Sequence, residues 1–452
     1  MAQPPQPADT IFACATAPGR AGIAVIRISG PHVRDALRAL DMPEPPPRVL
    51  RRATIRDAAS DEAIDQGLIC LFPAPHSYSG EDMLELNVHG STAVISALYA
   101  LLARQPGFRI AHPGEFTRRA FENGKLDLTE SEAVADLVAA ETSAQRRQAL
   151  RQLSGELRRL YESWREGLLR ALAHLEAAID FPDEDLPSGI LSEVSGTVGA
   201  LEDEISGHLA DNRRGERLRD GLSIAILGPP NAGKSSLLNA LARREAAITS
   251  ATAGTTRDVI EVHLDLGGYP AILADTAGLR EAGDAIEAEG VRRAKARAAE
   301  ADLKLMVLDG SRPEEADAAV LTLVDRDTLV VANKIDLAAT ESALAWADRV
   351  GVTPALRLSI KTGAGLDALL ARLTDELARR FDATAAPLIT RARHRAALEE
   401  CVAALRRYDP AALPELAAED LRLAARALGR ITGRVDVEDL LDIIFRDFCI
   451  GK

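Results

Sequence analysis

Apolar and polar residues follow strand-like patterns in the first part of the chain. Residues 23–28 form a short apolar run, residues 84–88 alternate apolar and polar side chains, and residues 92–104 repeat apolar positions every three or four residues. The first two patterns indicate β-strands and the third indicates a helix. Strands interleaved with a helix predict a compact α+β domain, which we place at residues 1–122.

Helical spacing dominates the next part of the chain. From Phe116 to about Ala210, apolar residues recur every three or four positions, which predicts long helices. No proline intervenes before Pro182, where we expect a break, and a further helix is predicted at roughly 190–215. Three more helices are predicted near the C-terminus, at 390–407, 419–431 and 436–447.

Between these helical segments, strands and helices alternate in the order typical of a doubly wound fold. The simplest interpretation is a domain at residues 216–382 inserted into one helical domain. The two halves of that helical domain would be residues 123–215 and 383–452. Two separate helical domains remain the alternative.

Composition is that of an ordinary globular protein, with 452 residues, 47% apolar and 27% charged. No apolar run reaches the roughly 18 residues of a membrane span, and the N-terminus lacks a signal-peptide layout, so we expect a cytoplasmic protein without a membrane segment. A net charge of −14 argues against non-specific coating of nucleic acid, although a local basic patch could still contact RNA. The cysteines lack zinc-ligand spacing and are expected to be free thiols: Cys14, Cys70, Cys401 and Cys449.

The stretch GPPNAGKSS, residues 228–236, follows the apolar run 223–227 and leads into a helical pattern. This spacing between a strand and a helix predicts a loop whose backbone N–H groups surround the phosphates of a nucleotide. Lys234 would reach the β and γ phosphates, and the Ser235 hydroxyl would bind magnesium. A glycine turn that happens to carry a lysine has the same local pattern, so the assignment depends on the motifs downstream.

Four further motifs follow in the order that a GTPase needs. Thr255 and Thr256 precede an alternating strand, and Asp275 opens the sequence DTAG after another strand, where it would hold the water shell of magnesium. In NKID, the Asp336 carboxylate can accept hydrogen bonds from guanine N1–H and the 2-amino group, which adenine lacks. The fourth motif, the SIK segment at residues 359–361, ends a strand at the position where a GTPase contacts the guanine oxygen. Together the motifs predict a Ras-like P-loop GTPase domain. The predicted nucleotide-binding residues are Asn231, Ala232, Gly233, Lys234, Ser235, Ser236, Ser250, Ala251, Thr252, Ala253, Gly254, Thr255, Thr256, Asp275, Thr276, Ala277, Gly278, Asn333, Lys334, Asp336, Ser359, Ile360 and Lys361.

Leu279 follows DTAG, at the position where Ras-like enzymes carry the glutamine that orients the attacking water. A leucine cannot orient water, so another group must do so and neutralise the developing charge. Asn231 and the loop 249–254 offer a side-chain oxygen and backbone carbonyls, which suit a monovalent cation acting as an arginine finger does. Asn231 could equally be a turn-forming residue.

Segments along nearly the whole chain resemble the MnmE (TrmE) family of tRNA modification GTPases. They include DTIFACATAPGRAGIAVIRISG, SYSGEDMLELNVHG, HPGEFTRRAFENGKLDLTESEAVADL, GPPNAGKSSLLNAL and the terminal FCIGK. The resemblance implies a homodimer whose GTP hydrolysis is stimulated by potassium. The implied ligands are Asn231, Ser250, Thr252 and Thr255 for potassium, and Ser235 and Thr256 for magnesium. Glu287 matches the family's water-orienting glutamate, although by its spacing alone it is one acid among several on a solvated helix. The expected catalytic residues are therefore Glu287, Asn231, Lys234 and Asp275.

The resemblance also implies that the N-terminal domain binds 5-formyltetrahydrofolate, or a related reduced folate, and holds the dimer together. The matching positions are Arg27, Glu85, Lys125 and Lys452. Glu85 can pair with the amide N–H and amino group of a pterin, and the cations suit folate carboxylates. Without the resemblance, Arg27 would be an edge-strand charge and Lys125 a solvated loop residue. Cys449 would be either catalytic or a small apolar residue at a helix end.

A partner and a substrate are implied as well. The family works with the flavin-containing MnmG (GidA) protein, in a heterotetramer or larger complex, on the wobble uridine of certain tRNAs. The product carries a carboxymethylaminomethyl or aminomethyl group at carbon 5, and GTP hydrolysis would drive domain rearrangement. Two alternatives stay open: a GTPase switch for ribosome assembly, which predicts a basic or aromatic RNA-binding appendage, and a folate-dependent enzyme whose turnover needs no GTP.

Overall fold

The structure is a computed structural model, and it divides the chain into two compact units. It describes residues 9–180, 190–244, 247–248, 261–275, 298–312, 322–337, 356–381, 387–435, 438–446 and 448–451. The first unit comprises Met1–Ala135, Gln152–Gly199 and Ala403–Lys452, and the second comprises Asp136–Arg151 and Ala200–Val402. Over the described residues, no helix combines the length and the apolar character needed to span a membrane.

A six-stranded sheet forms the N-terminal part of the first unit. Its strands are β1 (Thr10–Cys14), β2 (Ala21–Ser29), β3 (Arg51–Asp57), β4 (Glu62–Phe72), β5 (Met83–Gly90) and β6 (Phe108–Ile110), in the order β3-β4-β5-β2-β1-β6. Only β1 and β6 pair in parallel. Alternate residues of the central strands, such as Ile26 and Leu86, are buried and form one core with Leu98. Leu98 lies on α2 (Thr92–Ala103), which follows α1 (Val33–Ala39) and is capped by the Ser91 hydroxyl.

Five helices follow, where periodicity alone predicted longer uninterrupted ones. They are α3 (Glu115–Glu122), α4 (Leu128–Ala139), α5 (Ser143–Leu153), α6 (Glu156–Asp180) and α7 (Ile190–Leu209). The helical run is interrupted at two glycines with positive φ, Gly124 with φ 66° and Gly155 with φ 81°. Polar side chains then start the next helices: Asp127 Oδ1 accepts from Glu130 N at 2.7 Å, and Thr142 Oγ1 accepts from Gln145 N at 3.4 Å. The prediction of long helices is confirmed only for α6 and α7, and the expected break at Pro182 lies outside the described residues.

The helix predicted at 190–215 ends early, at Leu209, and a separate helix, α8 (Arg214–Asp220), follows it. Two residues between them, Asn212 and Arg213, have left-handed backbones with φ of 54° and 56°. Asp211 Oδ1 accepts from Arg213 N at 2.9 Å and stabilises this turn. A side chain that accepts from the backbone N–H two residues further on therefore ends the helix despite the continuing apolar spacing.

The second unit contains a doubly wound sheet. Its strands are β7 (Leu222–Leu227), β8 (Glu261–Leu266), β9 (Tyr269–Asp275), β10 (Leu303–Asp309), β11 (Thr328–Asn333) and β12 (Leu356–Arg357), in the order β12-β11-β10-β7-β9-β8. Among the described strands of this sheet, β8 alone pairs antiparallel. The central strand β7 is buried on both faces, because Ile224 and Ile226 belong to one apolar cluster and Ala225 and Leu227 to another. The helices α9 (Lys234–Ala242) and α10 (Leu366–Phe381) contribute Leu237 and other leucines to the first cluster.

Three helices end the chain, as predicted: α11 (Ala392–Arg407), α12 (Pro414–Thr432) and α13 (Glu438–Arg446). Helix α12 begins five residues earlier than its apolar spacing suggested, with Pro414 in its first turn, where a missing N–H has no cost. In the first unit α12 packs along α6, and Phe445 of α13 is buried with Leu128. The fold class is therefore multidomain α/β plus α, as expected from the sequence, while the exact domain limits stay a prediction.

Candidate functional site

The phosphate-loop sequence lies between β7 and α9, at the carboxyl end of the central strand. Gly228 has φ 144° and Gly233 has φ 105°, and a Cβ at either position would collide with a neighbour, the Val307 carbonyl oxygen or the Asn333 side chain respectively. Both glycines are therefore required by backbone angle and by space. Asn231, between them, has φ 59°, a left-handed conformation that asparagine tolerates well.

Lys234 begins α9, and its ammonium group is held against the loop. Nζ donates to the carbonyl oxygens of Gly228 at 2.9 Å and Pro229 at 2.8 Å. Ser235 and Ser236 follow in the first turn of the helix, where the helix dipole favours an anion. Geometry and charge therefore both suit a polyphosphate.

Asn333 ties the phosphate loop to two other predicted motifs. Its side chain is buried, with Nδ2 donating to Ala232 O at 2.8 Å and Oδ1 accepting from Ile360 N at 3.2 Å. One amide group thus joins GPPNAGKSS, NKID and the SIK segment. A site assembled from three separate stretches of sequence follows from this single side chain.

A buried serine orients Asp336, the residue predicted to contact guanine. Ser359, 1% exposed, donates from Oγ to Asp336 Oδ1 at 2.6 Å, and Asp336 itself is exposed. The backbone of this loop is fixed independently, because Ser359 N donates to Ala364 O and Gly363 N donates to Ser359 O. The carboxylate is therefore fixed at the open end of the strands, as the recognition of a planar base requires.

The sequence did not single out Asp309, which lies at the end of β10 beside this motif. Lys334, with φ 65°, places its Nζ 2.7 Å from Asp309 Oδ2, while the backbone N–H and hydroxyl of Ser311 donate to Oδ1. Burial acts to raise the pKa of Asp309, but the hydrogen bonds from Lys334 and Ser311 outweigh it and keep the pKa below its usual value. The acid that ends the strand LKLMVLD, directly after the apolar residues LMVL, was the signal that could have identified Asp309.

The structure describes the backbone of Asp275 and of Lys361, whereas other predicted site residues lie outside the described ranges. Asp275 ends β9 opposite Ile226 of β7, although its side chain is not described. Lys361 follows Ile360 at the base side of the site. The residues outside the described ranges are Ser250, Ala251, Thr252, Ala253, Gly254, Thr255, Thr256, Thr276, Ala277, Gly278, Leu279, Glu287 and Lys452.

In the first unit, the register of β2 and β5 places Arg27 opposite Glu85. Arg27 Nε and Nη2 both donate to Glu85 Oε1, at 3.1 and 2.9 Å, in a largely buried pair. The guanidinium carbon lies 5.3 Å from the ring centroid of Tyr78 and 5.7 Å from that of Phe116. These two aromatic residues, which the sequence reasoning missed, hold the arginine by cation–π contact. Both occur in the family-like segments SYSGED and HPGEFTRRAF.

The C-terminal segment reaches the same place. Arg27 Nη1 donates to Gly451 O at 3.4 Å, and Gly114 N donates to Cys449 O at 3.4 Å. The residue before Lys452 is thereby attached to the Arg27 and Glu85 pair. Lys125 Nζ instead donates to Pro75 O at 2.9 Å, on the loop that also carries Tyr78.

Two family descriptions match the sequence and together cover most of it. Residues 10–125 match "GTP-binding protein TrmE N-terminus", and residues 128–449 match "MnmE helical domain". The second match spans more than half of the chain. It also includes the doubly wound sheet.

Relatives match over almost their full length. A protein named tRNA modification GTPase MnmE from Paramagnetospirillum magneticum is 60% identical over 445 residues, 98% of this chain and 100% of the relative. The mitochondrial 5-taurinomethyluridine-tRNA synthase subunit GTPB3 of Rattus norvegicus is 48% identical over 464 residues, 99% of this chain and 94% of the relative. Among solved structures, the G domain of the T. maritima FeoB iron transporter is 25% identical and covers 35% of this chain and 98% of its own, with a TM-score of 0.28.

Proposed function

The chain belongs to the MnmE family of tRNA modification GTPases, and from that premise we propose that it is a potassium-stimulated GTPase that works on tRNA with the flavin-dependent MnmG (GidA) protein. GTP hydrolysis and a role in tRNA modification follow from the family. The product we propose is a carboxymethylaminomethyl or aminomethyl group on carbon 5 of the wobble uridine. The protein would act as a homodimer within a heterotetramer or larger complex.

The observation that carries the nucleotide part is the Asn333 side chain, which joins the phosphate loop to the base-recognition segment. Lys234 would exchange its loop carbonyls for the β and γ phosphate oxygens. Asp336, oriented by Ser359, would accept the two guanine donors. Ser235 stands in the first turn of α9 with a hydroxyl suited to magnesium, and Thr256 would supply a second one.

We assign water activation and charge neutralisation to separate groups, because Leu279 cannot do either. Asn231 offers a side-chain oxygen from within the phosphate loop, and Ser250, Thr252 and Thr255 would complete an oxygen-rich set that suits potassium. When bound there, potassium would supply positive charge where the γ-phosphate leaves. Glu287 would orient the attacking water.

The potassium proposal is tested by measuring GTP hydrolysis in matched potassium and sodium buffers. We expect a rate at least on the order of tenfold higher in potassium, because one electrostatic donor at a transition state typically contributes that much or more. Asn231→Ala should lose the difference, whereas Asn239→Ala, an exposed asparagine on α9, should keep it. Equal wild-type rates in the two salts would refute the cation assignment.

For the first unit we propose a reduced-folate site, such as one for 5-formyltetrahydrofolate. Arg27 and Glu85 form its centre, with the chain end attached through Gly451. Lys125 and Lys452 would supply further positive charge for folate carboxylates. A pterin needs a carboxylate that accepts its hydrogen-bond donors, beside cations that bind the folate carboxylates, and Glu85 and Arg27 offer both groups.

Calorimetry with 5-formyltetrahydrofolate tests the folate site. Removing Lys452 should weaken binding several-fold, and Glu85→Gln should weaken it more, because a charged acceptor for pterin donors is lost. Glu44→Gln, at an exposed position of the same unit, is the matched control. Unchanged affinity in both site variants would reject the assignment.

Mass spectrometry of wobble nucleosides tests the substrate. Cells lacking the protein should lose the carbon 5 modification, and the wild-type gene should restore it. Normal nucleosides together with a ribosome assembly defect would favour the ribosome alternative instead. Modification that proceeds equally well with GDP would favour a folate enzyme independent of GTP.

A further inference from the structure

Helix α5 carries an unusual charge for this chain. Its sequence SAQRRQALRQL has three arginines, Arg146, Arg147 and Arg151, and no acidic residue. The chain as a whole has a net charge of −14, so the charge of this helix, three arginines and no acid, is opposite in sign to that of the whole chain. The position of this helix in the second unit decides which way the arginines face.

One side of α5 is hydrogen-bonded to the backbone of α8. Gln145 Nε2 donates to Arg219 O at 2.9 Å, and Gln148 Nε2 donates to Gly215 O at 3.2 Å. Ala149, on the same side, is 2% exposed. Two amide anchors onto the α8 backbone therefore fix the rotation of the helix about its axis.

The outward side consists of Arg146, Arg147, Leu150 and Arg151, all of which are exposed. At 3.6 residues per turn these four positions lie within about 140° of the helix circumference, so they form one face. We call this set the α5 arginine face. Its side chains are presented together to whatever approaches that side of α5.

Within the described residues, Arg146 and Arg147 form no ion pair, and Arg147 donates only to the Ser143 hydroxyl at 3.1 Å. Other arginines of the same unit differ: Arg219 pairs with Asp136 at 3.1 Å, and Arg395 pairs with Asp211 at 2.7 Å. Among the acidic residues that the structure describes, none pairs with these two exposed guanidinium groups. Groups in this condition are available to an external anion.

We propose that the α5 arginine face binds the phosphate backbone of tRNA, an inference that rests on the proposed function. Clustered guanidinium groups match phosphates, which they can bind through two parallel hydrogen bonds. A protein partner would instead be expected to meet an aromatic or apolar centre, and the face offers only Leu150, 47% exposed. Backbone contacts of this kind position an RNA without reading its sequence.

Salt-dependent tRNA binding by the full-length protein tests the proposal. The test variant is Arg146→Gln, Arg147→Gln and Arg151→Gln together, and a charge-preserving variant replaces the same three residues by lysine. The control triple removes equal charge elsewhere, with Arg38→Gln, Arg326→Gln and Arg379→Gln, whose side chains are 77%, 94% and 57% exposed. Affinity is measured by fluorescence anisotropy with unmodified tRNA from 50 to 300 mM KCl, without nucleotide, and thermal unfolding checks folding.

The glutamine triple should bind tRNA at least on the order of tenfold more weakly at 100 mM KCl. Its slope of log affinity against log salt should fall by roughly 2 to 3, because each lost phosphate contact removes about 0.7 to 0.9. The lysine variant should keep most of the wild-type slope, and so should the control triple. Equal losses in the glutamine and control triples would overturn the proposal, because they would reflect net charge alone.

Three other outcomes separate this proposal from the proposed function. A glutamine triple that binds tRNA normally but no longer associates with the flavin-containing partner would reject an RNA surface in favour of a protein interface. If the wild-type protein binds no tRNA, and cells lacking the protein keep normal wobble nucleosides, the proposed function itself is wrong. If the wild-type protein binds tRNA and the glutamine triple binds it equally well, only the role of the α5 arginine face is rejected.

Discussion

Guanine recognition should depend on a serine that never touches the base. Ser359 donates to Asp336 Oδ1 at 2.6 Å, and its Oγ also accepts from Thr362 N at 3.3 Å. Ser359→Ala removes both side-chain bonds, while the bonds from Ser359 N to Ala364 O and from Gly363 N to Ser359 O remain. A hydrogen bond to a charged group contributes about 1.5 to 3 kcal/mol, which corresponds to roughly 10- to 150-fold in affinity. The loss appears mainly in the complex, because water can solvate the exposed Asp336 carboxylate until guanine covers it.

Fluorescent GDP titration and competition with GTP measure this effect. We expect Ser359→Ala to weaken both nucleotides by one to two orders of magnitude, whereas Thr362→Ala, in the same loop, should change them little because its hydroxyl accepts only a 3.4 Å hydrogen bond. Asp336→Asn should shift preference from GTP toward XTP, since an amide can donate to the xanthine oxygen. Near-wild-type GDP affinity in Ser359→Ala, or equal losses in both loop variants, would refute the reasoning.

Three further predictions concern burial and backbone shape. Burial raises the pKa of Asp127 to about 6, so the native state holds this proton more tightly than the unfolded chain and the stability of α4 should fall as pH rises from about 4 to about 6. Asp127→Asn should abolish this pH dependence, which amounts to at most about 3 kcal/mol. Hydrogen exchange of the α4 amides measures it, and equal dependence on pH in the wild type and the variant would contradict the prediction. Burial also raises the pKa of Cys401 to about 12, so iodoacetamide at pH 8 should label the exposed Cys449 far faster, as peptide masses would report. Gly228→Ala should lower nucleotide affinity at least tenfold because its Cβ would meet a β10 carbonyl, while Gly19→Ala, also at positive φ but with open space and in the first unit, should not.

Sequence patterns predicted the sheet of the second unit well because its strands are buried on both faces. A run such as LSIAIL has no polar face, so it can be stable only at the centre of a covered sheet. The break after Leu209 was not predictable from apolar spacing. It depends on the Asp211 side chain, which accepts from Arg213 N, and on two left-handed residues, Asn212 and Arg213. This turn competes locally with the helix, and the spacing of apolar residues carries no information about it.

The candidate sites divide in the same way. Motif residues such as Lys234 and Asp336 were found because their chemistry depends on short fixed spacings. Tyr78 and Phe116 were missed because their contact with Arg27 requires the β2 and β5 register and the placement of α3, which no local pattern encodes. Asn333 was identified as part of NKID, but its bond to a carbonyl 101 residues earlier in the chain exists only in the folded sheet.

The same second unit connects nucleotide chemistry to the proposed RNA surface through one tight junction. Gly268, in the turn between β8 and β9, accepts from Ala144 N at 2.9 Å, and at φ 93° a Cβ there would lie 2.5 Å from the Ser143 hydroxyl. Only glycine lets this turn approach the start of α5 so closely. Nearby, His263 Nδ1 of β8 lies 3.6 Å from Glu141 Oε2, before the same helix. Because β8 follows, in the sequence, the segment that carries the proposed magnesium and potassium ligands, these contacts link the strand next to that segment with the start of the helix that bears the α5 arginine face.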